Sequence, residues 1–255
     1  MSGGVLGNPP WPVPANAVRV WRGYRSAQLD VPTFLSYLGA TFIPAATLMQ
    51  PPAGLRAYLP GIFASPTLPA GVPEETALLF WDSQSAYHAA MSATLGERVY
   101  ELTHAGTYDL TACRIGFPAA LANPLVSDVP YYLVDTPADW MQGNAFQLMV
   151  SVTVTTQMLA DLGSWAASVV ANPPAGLTNA YLCAGDQYIV WWELWDAAAS
   201  PSAALRDALA ANGTVVANGP SLPATLTASL EMVWPGITVQ AGDLYNMQFN
   251  RPTGA

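Results

Sequence analysis

The sequence contains no lysine, and its eight Lys-plus-Arg positions are all arginine. Without lysine, the chain has no Schiff-base amine, no covalent anchor for pyridoxal phosphate and no phosphate-loop lysine. Charged residues make up 10% of the 255 residues, below the usual share of about 25%, and the net charge is −9. An acidic chain without a basic stripe argues against nucleic acid as a partner.

Other features are also missing. No apolar run approaches the roughly 20 residues of a membrane span, and the N-terminus lacks the basic region and apolar core of a signal peptide. The two cysteines, Cys113 and Cys183, lie too far apart for a CxxC metal site. No nucleophile elbow, dinucleotide fingerprint or Walker loop is present. We therefore expect a cytoplasmic protein with no membrane insertion, no metal site and two buried free thiols.

The first half of the chain reads as strand, helix, strand, strand, helix, strand. Residues 1–16 are rich in proline and glycine and predict an irregular arm. Asp30 followed by Pro32 is typical of a helix start, and Pro60 suggests an edge strand or a bulge. Strands are predicted over 17–25, 55–64 and 76–81, with a fourth over 111–117 or 129–134, and a second helix from Asp82 or Ser83. This order is the ferredoxin-like unit.

The second half repeats the order. A strand over 145–154 is followed by a helix over 155–171, and Pro-Pro-Ala-Gly-Leu ends this helix as it ends the first. A strand containing Tyr-Leu and an aromatic strand ending in Trp-Asp then follow in both halves. The recurrence indicates an internal duplication. The first copy has the longer loop between these two strands, Ser65 to Glu75.

Two ferredoxin-like units in one chain resemble the dimeric α+β barrel superfamily in a fused, tandem form, which includes the antibiotic-biosynthesis monooxygenase-like and EthD-like proteins. The resemblance implies an α+β fold with two four-stranded sheets closing face to face and helices outside. The domain organisation is then an arm at 1–16, a first unit at 17–140 and a second at 141–255. The lumen or the helix–sheet side is the natural ligand site.

One candidate catalytic set follows the second histidine. Tyr100, His104 and Tyr108 share one face of a helix, and Asp109 is placed to orient the imidazole of His104. The alternative is a histidine packed between tyrosines and bonded to a backbone carbonyl. Gly106 suggests that the helix ends before Tyr108.

Glu193 is a second candidate, because a carboxylate is unusual in a strand as apolar as 187–195. Buried, it would have a raised pKa and act as an acid or base; alternatively, it pairs with an arginine. Alternation puts Trp191, Glu193 and Trp195 on one face, so all three line the lumen if Glu193 does.

The remaining candidates line a cavity for a hydrophobic small molecule. An inward-facing arginine from Arg19, Arg22 or Arg25 is a carboxylate or enolate partner, although pairing with Asp or Glu is the commoner use. His88 is a candidate lining residue, and the alternative is a histidine on the surface of its helix or between helix and sheet. Asp82 and Asp196 are interpreted as helix N-caps. The predicted lining residues are Trp21, Arg25, Tyr58, Trp81, His88, Tyr181, Trp191 and Trp195.

Three functions remain open. The first is a small tailoring enzyme that acts on a polyketide- or terpenoid-like molecule, without a cofactor, by cyclisation, dehydration, isomerisation or oxygenation. The second, implied by the resemblance, is a haem protein with His104 or His88 as axial ligand. The third is a non-catalytic carrier of apolar ligands. A fused pair closes its own barrel, so we expect a monomer or a homodimer.

Overall fold

The structure is a computed structural model that describes residues 14–43, 45, 50, 54–92, 102–136, 140 and 144–218. Three predictions fall wholly or partly outside these residues: the N-terminal arm, the Pro-Pro-Ala-Gly-Leu stretch that ends the first helix, and the position of Tyr100. Within the described part of the chain, no helix is both long and apolar enough to cross a membrane.

The first unit forms a four-stranded antiparallel sheet in the order β2-β3-β1-β4. Its strands are β1 (Val18–Gly23), β2 (Leu55–Ile62), β3 (Glu75–Trp81) and β4 (Arg114–Gly116). Its helices are α1 (Val31–Tyr37), α2 (Gln84–Ser92) and α3 (102–107). A 3₁₀ turn, Ala15–Ala17, precedes β1, and a π-helical turn, Leu38–Phe42, extends α1. The edge position predicted from Pro60 is confirmed, because β2 is an edge strand.

The second sheet has six strands in the order β10-β7-β9-β8-β6-β5, and two of them, β5 and β6, come from the stretch predicted as part of the first unit. Its strands are β5 (Ala119–Ala120), β6 (Pro130–Asp135), β7 (Asn144–Ser151), β8 (Leu177–Gly185), β9 (Tyr188–Trp195) and β10 (Thr214–Asn218). Its helices are α4 (Thr156–Ala171) and α5 (Ala204–Ala210). Of the two predicted fourth strands, the one near 111–117 joins the first sheet, whereas β6 pairs with β8 in the second.

Four strands of each sheet share one order. If β1–β4 and β7–β10 are each numbered in chain order, both sets read 4-1-3-2 with antiparallel neighbours, and a helix follows the first and third strands. This is the ferredoxin-like arrangement, so the predicted α+β fold with a ferredoxin-like strand order is confirmed. Strands β6 and β5 extend the second sheet beyond β8.

Local signals explain where the helices begin. The carboxylate of Asp30 accepts from the backbone N–H of Thr33 at 2.8 Å, and the hydroxyl of Thr155 accepts from Met158 at 3.2 Å. The prediction that Asp82 caps α2 is wrong, because Ser83 accepts from the backbone N–H of Ala86 while Asp82 pairs with an arginine.

Asp196 is not a helix cap either. Its carboxylate accepts from the backbone N–H of Ala198 at 2.8 Å, closing a turn well before α5 begins. The repeated Trp-Asp pattern therefore marks the end of a strand in both units. The two aspartates differ in role, because Asp82 pairs with an arginine and Asp196 closes a turn.

Three apolar clusters show how the layers pack. Between the sheets, Val20 and Phe80 of the first sheet meet Val190 and Trp192 of the second. Outside the first sheet, the helical segments before β2 cover Trp21 and Trp81; outside the second, α4 and α5 cover Trp191 and Trp195. The order of layers is helix, sheet, sheet, helix. Strand β9 is apolar on both faces because both are covered.

Candidate functional site

The candidate site is built around Glu75, the first residue of β3. It alternates with Ala77, Leu79 and Trp81, so its side chain points to the outer face of the first sheet, beneath the helices. Glu75 is fully buried. A carboxylate in such a place has to be hydrogen-bonded, because burial without partners costs several kcal/mol.

Three side chains donate to the Glu75 carboxylate. The hydroxyl of Tyr58, from β2, donates to Oε1, and the hydroxyl of Tyr108, which follows α3, donates to Oε2. The indole N–H of Trp21, from β1, also donates to Oε2, at 3.3 Å. Gly23 permits this convergence, because a Cβ at that position would lie 2.6 Å from the Trp21 indole nitrogen and 2.7 Å from the Tyr108 ring.

The electrostatics of this cluster favour a proton on Glu75 at unusually high pH. Burial raises the pKa of Glu75 to about 7, against the lowering effects of its bonds from Tyr108, Tyr58 and Trp21 and of the nearby Arg19 charge. Burial also raises the pKa of Tyr108 well above its ordinary value, so its phenol stays protonated and donates. A carboxyl group that titrates near neutrality is suited to proton transfer.

A small cavity adjoins this cluster. It measures about 10 Å³, close to the least space that one water molecule needs, and Tyr58 and Trp21 contribute to its wall. The other lining residues are Arg19, Phe42, Gln50, Leu79 and His104. Tyr58 therefore both contacts the cavity and donates to Glu75, so it connects the two.

Arg19 supplies a buried positive charge to the same place. It is 1% exposed, and its guanidinium carbon lies 5.3 Å from the centroid of the Trp21 ring and 4.9 Å from that of Tyr87. The neighbouring Arg22 points to the opposite face of β1, where it donates to the carbonyl of Asp128. The alternation that separates these two arginines decides which one reaches the cavity.

His104 lies in the cavity wall, as part of α3. Its ring packs edge-on against Phe42 and Trp21, with centroid distances of 4.5 and 5.5 Å. The helix continues through Gly106, because the backbone N–H of Tyr108 donates to the His104 carbonyl at 2.7 Å. The prediction that Asp109 orients His104 is wrong: its carboxylate is exposed and accepts from Thr111, which also lowers its pKa.

The second unit has a closed cluster on its own helix-facing side. The carboxylate of Glu193 accepts from the indoles of Trp191 and Trp195 at 2.7 and 3.0 Å, and lies 3.0 Å from the Arg206 guanidinium. The guanidinium stacks on Phe146, 4.0 Å from the ring centroid. Burial raises the pKa of Glu193. Because all three face α4 and α5, Glu193 does not reach the space between the sheets, and the predicted lining by Trp191 and Trp195 is wrong. The alternative, pairing of Glu193 with an arginine, is what the structure has.

The other predicted lining residues are dispersed. Trp81 is buried beneath α2, against Tyr87, and Tyr181 lies between the sheets, stacked on Trp140. His88 is exposed on α2, so its surface alternative describes its position. Of the predicted lining set, Trp21 and Tyr58 reach the cavity beside Glu75.

Arg25 belongs to a different, open cleft of about 680 Å³ at one end of the sheets. Its guanidinium pairs with Glu74 at 3.3 Å, and Asp109 lines the same cleft. The long β2–β3 loop forms one wall, and Asp186 and Gln187 of the β8–β9 turn form another. The cleft is polar and separate from the Glu75 cluster.

Two polar residues of the site, Glu75 and Gln50, were missed from the sequence. Glu75 follows a proline-rich loop and resembles a loop end, although its alternation with Leu79 and Trp81 carries the signal of a helix-facing position. Gln50 precedes Pro-Pro-Ala-Gly and carries no pattern that marks it. Among the residues described, no group of three or more His, Cys, Asp or Glu side chains is placed to hold a metal ion.

Comparison with known proteins gives weak likenesses. No protein-family model and no curated protein matches the sequence. A proposed monooxygenase from Fusobacterium nucleatum aligns with 71% of this chain and 76% of its own, at 8% identity and a TM-score of 0.37. An anthrone oxidase-like protein aligns over 87% of both chains, at 11% identity and a TM-score of 0.35. A dye-decolorizing peroxidase from Bacteroides thetaiotaomicron aligns with 81% of this chain and 87% of its own, at 10% identity and a TM-score of 0.35. At these values, none establishes an activity for this chain.

Proposed function

We propose that the chain is a small-molecule enzyme whose first unit carries an acid–base site, with Tyr58 as the group that contacts the substrate and Glu75 as the proton acceptor behind it. The observation that carries the proposal is the buried Glu75 carboxylate, held by two phenols and an indole beside a cavity. A carboxyl with a pKa of about 7 gains and loses a proton readily at neutral pH.

The proton moves in two linked steps. Tyr58 donates its own proton along the existing hydrogen bond to Oε1 of Glu75, and its oxygen takes a proton from the bound molecule. Tyr58 is regenerated, Glu75 becomes neutral, and the substrate is left as an anion. Tyr108 and Trp21 hold the carboxylate in place from the other oxygen. Return of the proton to a different substrate atom completes an isomerisation.

The charge of Arg19 suits the anion formed in this step. A buried guanidinium stabilises a developing oxyanion more strongly than one in water, because the surroundings screen it less. Trp21, Phe42 and Leu79 supply apolar wall to the same cavity, which favours a substrate with an apolar body. Aldol-type cyclisation, elimination of water next to a carbonyl, isomerisation and oxygenation without a cofactor each have routes that begin with such a proton removal.

Substrate entry requires a change in the wall, because the cavity now has room for one water molecule. Phe42 is the proposed gate. It ends the π-helical turn Leu38–Phe42, a rare geometry that occurs frequently at functional sites. Its ring contacts both His104 and Tyr108, at centroid distances of 4.5 and 5.1 Å. Rotation of this side chain opens the space over Tyr58.

Haem does not fit the described surroundings of either histidine. The His104 ring packs against Trp21 and Phe42 beside a space of about 10 Å³, whereas pockets for drug-sized ligands enclose about 300–1,000 Å³. His88 is exposed beside Tyr87 and Phe117 and lines neither described cavity. The proposed steps therefore use the side chains of the chain alone.

Deuterium exchange tests the proposal without knowledge of the final reaction. Apolar enolisable ketones and phenols are incubated with the protein in D₂O, and uptake at carbon is followed by NMR. We expect exchange catalysed by the wild type to fall at least about 100-fold in Tyr58→Phe and Glu75→Gln, the size of a general-base contribution. Tyr181→Phe, the same change at a buried tyrosine between the sheets, should leave exchange unaltered. Exchange that survives both site variants contradicts the proposal.

A further inference from the structure

The amide of Gln50 has hydrogen-bonding capacity that the described residues do not use. The residue is 6% exposed, and neither Oε1 nor Nε2 of its side chain has a hydrogen-bond partner among the residues that the structure describes. Its backbone carbonyl, by contrast, accepts from the N–H of Leu55 at 3.2 Å at the start of β2. The backbone is therefore anchored, and Gln50 lines the cavity beside Tyr58.

A buried amide without partners destabilises a folded protein, and an apolar side chain of similar size would avoid that cost. A glutamine in this position is therefore suited to binding something that enters the cavity. The other buried glutamine of the described chain is satisfied in the ordinary way. Gln147 donates from Nε2 to the hydroxyl of Thr76, across the space between the sheets.

We propose that Gln50 is the recognition residue of the Glu75 site, and that it selects ligands carrying a hydrogen-bond acceptor and a donor side by side. Nε2–H donates to a carbonyl oxygen of the ligand, and Oε1 accepts from the neighbouring O–H or N–H. A carboxylic acid, a primary amide and a hydroxy-carbonyl group all present this pair. The assignment rests on the proposed function, because the group held by Gln50 lies beside Tyr58.

The size of the cavity agrees with a small polar head. In the closed state a single water molecule fits, and it can satisfy one amide atom as donor and the other as acceptor. The ligand head replaces that water, while the apolar body occupies the space that Phe42 vacates. Arg19, on the same wall, favours an oxygen acceptor on the ligand.

Binding of simple aromatic probes tests this inference. Benzamide, salicylaldehyde and the protonated form of benzoic acid carry the donor–acceptor pair in its three forms, whereas acetophenone offers the acceptor alone. We expect the wild type to bind at least one of the three more tightly than acetophenone, as measured by saturation-transfer NMR and by quenching of tryptophan fluorescence. The probe that binds best identifies which form of the pair the site takes.

Two substitutions separate recognition from folding. Gln50→Leu should weaken the best probe at least about tenfold, change acetophenone binding less than about twofold, and raise the melting temperature of the free protein. Gln147→Leu is the matched control, and it should lower the melting temperature without changing probe affinity. Gln50→Glu keeps the acceptor and loses the donor, so it should also weaken the best probe.

Three results would overturn the inference. These are no preference of the wild type for the paired probes, unchanged affinity in Gln50→Leu, or a lower melting temperature in Gln50→Leu, which would show that an ordered water satisfies the amide for structural reasons. Tyr58→Phe distinguishes this inference from the proposed function. If it binds the probe normally and exchange in D₂O is unaffected, recognition by Gln50 stands and the acid–base role of Tyr58 fails.

Discussion

The burial of Glu75 predicts a specific dependence of stability on pH. Below pH 4.5 the carboxyl is protonated in both the folded and the unfolded chain. As the pH rises above 4.5, the unfolded chain releases this proton, but the folded protein keeps it until about pH 7. The unfolded state then binds fewer protons than the folded state, so the free energy of unfolding falls with rising pH across this window.

The size of the effect follows from the two pKa values. The folded-state pKa of about 7 exceeds the ordinary value of 4.5, and each pH unit between them is worth about 1.4 kcal/mol. Glu75 therefore removes about 3 kcal/mol of stability between pH 4 and pH 8. Glu75→Gln has no such proton, so its stability lacks this slope. Burial also raises the pKa values of Glu74, Asp135 and Glu193, but their effects cancel when the two proteins are compared.

Urea unfolding followed by tryptophan fluorescence measures the difference between wild type and Glu75→Gln at each pH. We expect that difference to move by about 3 kcal/mol in favour of the variant from pH 4 to pH 8, with its midpoint between 4.5 and 7. A difference that is constant across this range refutes the reasoning, since it means that Glu75 has an ordinary pKa in the folded protein.

Three further predictions concern neighbouring side chains. Tyr58→Phe removes a donor that lowers the pKa of Glu75, so the pH window should extend above pH 7; a window that moves down contradicts the assigned bond. Phe42→Ala should cost about 3–5 kcal/mol in urea unfolding and extend deuterium exchange to larger ketones; unchanged substrate size would remove Phe42 as the gate. Glu193→Gln leaves the Arg206 charge buried without its carboxylate, so we expect a loss of about 3–5 kcal/mol with normal exchange in D₂O; lost exchange would place catalysis in the second unit.

Much of the fold is predictable because its signals are local. The Asp30–Pro32 start of α1 and the edge position of Pro60 each depend on the geometry of a few neighbouring residues. The repeated order of elements predicted two ferredoxin-like units. The sequence does not determine which sheet each short strand joins. The pattern at 129–134 predicts a strand but does not indicate which sheet the strand joins. In the structure it pairs with β8 and so belongs to the second sheet.

The site was harder to predict because burial is a property of the assembled layers. Glu193 was predicted as a catalytic residue because it is a carboxylate inside an apolar strand. In the structure its charge is neutralised by Arg206, which lies on a later helix. Glu75 stands at the end of a polar loop. It is buried because the helical segments that contain Phe42 and precede Tyr108 lie over this face of the sheet. Alternation predicts that Arg19 and Arg22 face opposite ways, but only the packing of the two sheets shows which face holds the cavity.

The titration of Glu75 itself tests the central claim most directly. Glutamate labelled with ¹³C at its carboxyl carbon is followed by NMR from pH 3 to pH 9 in the wild type and in Glu75→Gln, and the resonance missing from the variant identifies Glu75. We predict a midpoint near pH 7 for this resonance, moving higher in Tyr58→Phe. A midpoint near 4.5, unaffected by Tyr58→Phe, would contradict both the burial of the carboxyl and its role as a proton acceptor.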